Sequence, residues 1–139
     1  MPENEKMSPP VPARAVLLVE DSENCAATVE MALQEIPGLS VLRAPSGLEA
    51  LSILHQPGSG VQAIITDLNM PRMDGFELIR HIRADGRTAA VPIIVLSADT
   101  APDTPERIAH LKVDAFFAKP FSPAQVRRKL EQLLDVTTE

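Results

Sequence analysis

The chain of 139 residues is predicted to fold as an α/β domain, with one doubly wound, five-stranded parallel sheet flanked by five helices. Three observations predict this. Five short aliphatic runs recur along the chain. Each is followed by a longer segment whose apolar residues repeat at helical spacing, and Gly, Pro or Asp-Gly punctuation separates the segments.

The runs are Ala15–Val19, Ser40–Arg43, Ala63–Thr66, Pro92–Leu96 and Ala115–Ala118. Continuous β-branched and aliphatic runs of this length suit strands covered on both faces; in the last, Ala and Phe stand in for the branched residues. In the first helix Ala26, Val29, Leu33 and Ile36 recur at helical spacing, and Pro37-Gly38 stops it. Ser46 and Glu49 form a capping box for the second helix, which ends by Pro57-Gly58. Asp74 caps the third, which presents Phe76, Ile79 and Ile82 on one face and closes at Asp85-Gly86. Pro102 and Pro105 confine the start of the fourth to about 103–105, because proline fits only a first turn, and it runs to about Lys112. Ser122-Pro-Ala-Gln125 opens the fifth with a cap and a first-position proline, and Val126, Leu130, Leu133 and Leu134 form its buried stripe.

These elements assign residues 13–135 to a single domain. Residues 1–12, with prolines at positions 2, 9, 10 and 12, read as a disordered tail or linker, and residues 136–139 as a short C-terminal tail. Strict β-α alternation fits the flavodoxin-like strand order 2-1-3-4-5, in which strands 1 and 3 are neighbours whose connections leave in opposite directions. A ligand crevice then opens outside their carboxyl ends.

Apolar residues make up 45% of the chain but aromatics only 3%, so the core must be aliphatic. The 13 basic and 19 acidic residues give a net charge of −6, which argues against a nucleic-acid surface. Cys25 is the only cysteine, which excludes an internal disulfide and suits a reducing cytoplasm. No apolar run approaches the roughly 18 residues of a membrane span, and Met1 to Pro12 holds no signal-peptide core.

The crevice collects chemistry. Strand 1 ends at Glu20-Asp21, strand 3 at Asp67, strand 4 at Ser97 and strand 5 at Lys119. Three clustered carboxylates raise one another's pKa unless a cation neutralises them. A hard divalent ion, Mg2+ or Mn2+, answers that need, since Mg2+ takes a few carboxylates and keeps waters. Lys119 offers a compact positive charge for a phosphoryl oxygen, and Ser97 a hydroxyl for another. With those oxygens neutralised, Asp67 becomes a nucleophile for phosphoryl transfer that needs no general base.

Taken together, these residues resemble the receiver domains of two-component response regulators. The resemblance rests on Val-Leu-Leu-Val-Glu20-Asp21, on Ile64-Ile-Thr-Asp67-Leu-Asn-Met-Pro-Arg-Met-Asp-Gly75, on Ile93-Ile-Val-Leu-Ser97-Ala98 and on Phe116-Phe-Ala-Lys119-Pro120-Phe121. It spans roughly Ala13 to Leu134. It implies a metal held by Asp21, Asp67 and the backbone carbonyl of Asn69, with Glu20 acting through water. It further implies a cis Lys119–Pro120 peptide, and a switch in which Ser97 moves toward the phosphoryl oxygens while Phe116 swings inward behind it. That shift would reshape the surface of helix 4, strand 5 and helix 5. Glu20 stands where Asp is commoner, Ser97 where Thr is, Lys112-Val113 where Gly-Ala is, and Phe116 where Tyr is frequent.

The function expected is that of a phosphorylation-controlled cytoplasmic signalling module, in a phosphorelay, that accepts a phosphoryl group on Asp67 from a histidine kinase or histidine phosphotransfer domain. It is no enzyme beyond catalysing its own phosphorylation and dephosphorylation, and it acts on a downstream protein target or tethered output. The donor is expected to dock around Ser22, Glu23, Cys25, Ala26, Pro120 and Phe121. Ala98 leaves access to Asp67 open beside Ser97 and Lys119, and Asn69 and Asp99 flank the opening and tune hydrolysis of the acyl phosphate. Cys25 reads as a packed or half-exposed thiol whose acidic neighbours disfavour the thiolate. His55, His81 and His110 read as surface residues, and Arg127-Arg128-Lys129 as the solvated face of helix 5.

Two other functions compete. An Asp-nucleophile phosphatase would need a second Asp two residues on, where Asn69 stands, and an interaction-only pseudo-receiver would normally lack one of the key residues. With helix 5 so near Glu139, the chain reads as a free-standing regulator, the alternative being one domain of a longer protein such as a hybrid kinase.

Overall fold

A computed structural model describes residues 14–137. The expected tail at residues 1–12 lies outside them. The strands are β1 (Arg14–Val19), β2 (Leu39–Ala44), β3 (Val61–Asp67), β4 (Ile93–Ser97) and β5 (Ala115–Ala118). They alternate with α1 (Glu23–Leu33), α2 (Gly47–His55), α3 (Gly75–Ala84), α4 (Thr104–His110) and α5 (Pro123–Thr137). All strand pairs are parallel and the order is β2-β1-β3-β4-β5. This is the doubly wound sheet expected.

Alternation along each strand divides the core in two. Leu17, Val19, Ile64, Ile93 and Val95 face α2, α3 and α4, where Leu54, Phe76, Ile79 and Ile108 meet them. Val16, Leu18, Ile65, Ile94 and Leu96 face α1 and α5, and pack on Val29, Leu33, Val126, Leu130 and Leu134. Apolar burial on both faces makes β1, β3 and β4 continuous aliphatic runs. β5 is an edge strand, alternately half-buried and exposed, which is why it needs no branched run.

The predicted caps form: Ser46 accepts the Glu49 N–H, Asp74 the Glu77 N–H, and Ser122 the Gln125 N–H. Three helix ends differ from expectation. α1 ends at Leu33, because Glu35 and Ile36 donate to Ala32 and Leu33, and these tight i→i−3 bonds carry Ile36 into the core outside the helix. α4 ends at His110 rather than near Lys112, whose φ of 58° lies in the left-handed region. α5 continues through residues 136 and 137, so the tail expected at 136–139 is helical in its first half, and 138–139 lie outside the described residues.

The Lys112 turn is held by Arg83. Its guanidinium donates to the carbonyls of Ala89 (2.9 Å), Val91 (2.7 Å), Leu111 (3.3 Å) and Lys112 (2.7 Å). Burial pulls the Arg83 pKa below its ordinary value, against the opposing charge of Asp114.

Candidate functional site

The sheet order puts the ends of β1, β3, β4 and β5 along one edge. Glu20 follows β1, and its N–H donates to Ala44 at the end of β2 (3.0 Å). Its carboxylate turns inward and is only 6% exposed. Oε2 accepts the Ser22 N–H (3.0 Å) and Oε1 accepts Lys119 Nζ (3.1 Å). Asp67 closes β3 and is equally buried. Its Oδ1 accepts the N–H groups of Leu68 (2.7 Å) and Asn69 (3.3 Å), while Oδ2 accepts Lys119 Nζ (3.1 Å).

Lys119 therefore bridges two carboxylates that lie 99 and 52 residues away in sequence. Partial burial acts to lower its pKa, but hydrogen bonds to Glu20 and Asp67, with their charges, outweigh burial and hold the ammonium above the ordinary lysine value. Its own N–H donates to the Ser97 carbonyl (2.9 Å), continuing the β4–β5 ladder, and the Lys119–Pro120 peptide is cis.

Gly75 braces Asp67 from behind. Its N–H donates to the Leu68 carbonyl (2.8 Å). A Cβ on it would stand 2.2 Å from the Asp67 carbonyl oxygen and 2.7 Å from Leu68 Cα, so the first turn of α3 can pack this closely only with glycine there. The buried Thr66 hydroxyl donates to the same Asp67 carbonyl (2.8 Å).

Asp21 is exposed beside this pair, and one oxygen from each of Glu20, Asp21 and Asp67 lies within 4.8 Å of the others. Three hard oxygen donors so close together fit a divalent ion such as Mg2+.

A sequence profile of the response regulator receiver domain matches residues 16–131. The chain belongs to that family. It is 35% identical over 121 residues to the chemotaxis protein CheY1 of Helicobacter pylori, a match covering 86% of this chain and 95% of that protein. Among solved structures, the chemotaxis response regulator CheY4 of Vibrio cholerae superposes with a TM-score of 0.76 at 30% identity, over 87% of this chain and 98% of that one. The signal receiver domain of a signal transduction histidine kinase from Syntrophus aciditrophicus gives 0.80 at 28% identity, over 88% and 91%.

Ser97 is buried at the end of β4, and Ala98 and Asn69 are exposed beside it. Phe116 points outward and is 40% exposed. Of the docking set, Ser22, Glu23 and Pro120 are exposed, and Cys25 and Phe121 are half-buried. Ala26 is a correction, because it faces inward onto the core between α1 and the sheet and offers no surface to a partner. Burial first, and then a hydrogen bond to Glu20 and its charge, push the Cys25 thiol up to about 11, so the thiolate is disfavoured as expected. The three histidines are exposed. Arg128 is exposed, but Arg127 is half-buried in ion pairs with Glu35 and Glu131.

Asp99 departs from expectation. Its carboxylate does not flank the opening but turns to the start of α4, where Oδ1 accepts the Ala101 N–H (2.8 Å) and the Thr104 hydroxyl (3.1 Å). The role of Gly75 emerges only from its contacts in the fold. The signal available was a glycine inside a first helical turn, where helix propensity alone would not place one.

Proposed function

We propose that this receiver is a phosphorylation-controlled signalling module of the cytoplasm, whose Asp67 takes a phosphoryl group from a phosphohistidine on a histidine kinase or phosphotransfer domain. The observation that carries this reading is the Asp67 carboxylate itself, buried, with one oxygen held by two backbone amides and the other on the Lys119 ammonium. The two amides hold the carboxylate in one orientation, so it is aimed before the donor arrives.

The carboxylate attacks phosphorus, an O–P bond forms, and the P–N bond breaks as the imidazole departs with the electron pair. Lys119 is already in place to follow the charge from carboxylate to phosphoryl oxygen. Ser97 offers its hydroxyl to another oxygen, and the small Ala98 leaves the approach open. Asp21, Asp67 and the Asn69 carbonyl would hold Mg2+ or Mn2+, with Glu20 acting through water. The ion supplies charge neutralisation at the phosphoryl oxygens when bound.

The donor would dock on Ser22, Glu23, Cys25, Pro120 and Phe121. Ser97 and Phe116 would carry the switch to the surface of α4, β5 and α5. Incubation with Mg2+ and acetyl phosphate should add one phosphoryl group by intact mass, absent in Asp67→Asn. Label retained on that variant would sink the assignment. Failure of the wild type to bind beryllofluoride with Mg2+ would favour a pseudo-receiver instead.

A further inference from the structure

We infer that Asp99 and Thr104 form a latch, which ties the Ser97 hydroxyl to the first turn of α4 and holds both in the unphosphorylated arrangement. This rests on the reading of Asp67 as phosphoacceptor and Ser97 as the group that moves toward the phosphoryl oxygens.

The connection is continuous. The Asp99 N–H donates to Ser97 Oγ (2.9 Å). The Asp99 carboxylate accepts the Thr104 hydroxyl and the Ala101 N–H, and the Ala101 carbonyl accepts the Thr104 N–H (3.1 Å). Ser97 and Thr104, the two ends of this chain of bonds, are 1% and 2% exposed, so water competes poorly for them.

Asp103, the residue that begins α4, makes no side-chain cap bond. The side chain that ties down the start of the helix is therefore Asp99, reaching forward to Thr104. Ser97 cannot swing its hydroxyl toward Asp67 without either breaking the bond from Asp99 or drawing the 98–104 loop and the first turn of α4 along with it. A further side-chain tie from α4 to α3 is Arg107, whose guanidinium stacks 3.7 Å from the Phe76 ring centroid. Face-on stacking of this kind has no hydrogen-bond direction to break, so it tolerates sliding.

The latch thus converts a small movement at Ser97 into displacement of α4. Coupling is reciprocal, so a partner that holds α4 displaced would favour the phosphoryl-bound position of Ser97. Asp99 and Thr104 are positioning residues, acting through Ser97 and touching no phosphoryl oxygen themselves.

The test is a beryllofluoride titration of the isotope-labelled full chain in saturating Mg2+, reading affinity and the amide shifts of Arg107 to His110. In Thr104→Val, Ser97 moves without carrying α4. Beryllofluoride should bind about fivefold tighter, the equivalent of one ordinary hydrogen bond, and the α4 shifts should be much smaller than in wild type. Thr104→Ser keeps the hydroxyl and should behave as wild type. Should Thr104→Val fail to fold, Asp99→Ala carries the same expectation. Unchanged affinity, or α4 shifts as large as those of wild type, overturns the latch alone. A wild type that binds no beryllofluoride overturns the phosphoacceptor reading and the latch with it.

Discussion

Helices α1, α2 and α3 each begin at a Ser or Asp whose side chain accepts a first-turn N–H, whereas α4 begins at Asp103 with no such bond. The strands beside them differ in the same sense. β1 and β3 are buried over most of their length, while β5 is half-exposed and carries Phe116 outward. A capping side chain contributes about 1 kcal/mol, so the α1–α3 side has a stiffness that the α4–β5 side lacks. The acidic cluster sits on the stiff side and the proposed switch on the yielding one. Lys119 is the seam, a residue at the end of the yielding edge strand whose ammonium lies between the Glu20 and Asp67 carboxylates.

Three substitutions would break or sharpen this contrast. The largest effect is expected on the stiff side. Gly75→Ala sets a methyl against the Asp67 and Leu68 backbone, and no rotamer change can relieve a clash with main chain. It should lower unfolding free energy by about 3 kcal/mol or more, read from urea midpoints; a loss under about 1 kcal/mol would mean that α3 yields and the stiff side is less stiff than its caps suggest.

Lys119→Met acts at the seam, leaving two buried carboxylates without their cation. Breaking a fully buried pair costs roughly 3–5 kcal/mol, but the lysine is partly open to solvent. A loss of about 2 kcal/mol is expected after solvent screening. Mg2+ should then raise the thermal midpoint of the variant more than that of wild type, and equal Mg2+ effects would dissociate Lys119 from the acidic cluster.

The smallest effect belongs to the yielding side. Lys112 sits at φ 58°, where a side chain costs about 1–2 kcal/mol and glycine fits without strain. Lys112→Gly should gain about 0.5 kcal/mol once the extra chain entropy of glycine is deducted. The bond from Arg83 to this residue is to its carbonyl and survives the change. A loss of stability would show that the lysine side chain, rather than the backbone turn, holds α4 to β5.

What the sequence determined by itself was local and periodic. The aliphatic runs, the helix stripes and the Ser46, Asp74 and Ser122 caps depend on residues within one or two turns of each other, so they are legible without the fold. β-α alternation then set the sheet order, and with it the meeting of Glu20, Asp21, Asp67, Ser97 and Lys119 at one edge. Which way each side chain turns at that edge was decided by packing between segments far apart in the chain.

Only the tertiary structure joins Lys119 to Glu20, turns Asp99 from the site mouth to Thr104, and faces Ala26 inward. The same holds for Gly75 against the Asp67 carbonyl and for Arg83 among four carbonyls of two separate loops. A periodic signal specifies a face or a cap. A hydrogen bond needs its partners within about 3 Å, and that position is set by the packed helices and strands together.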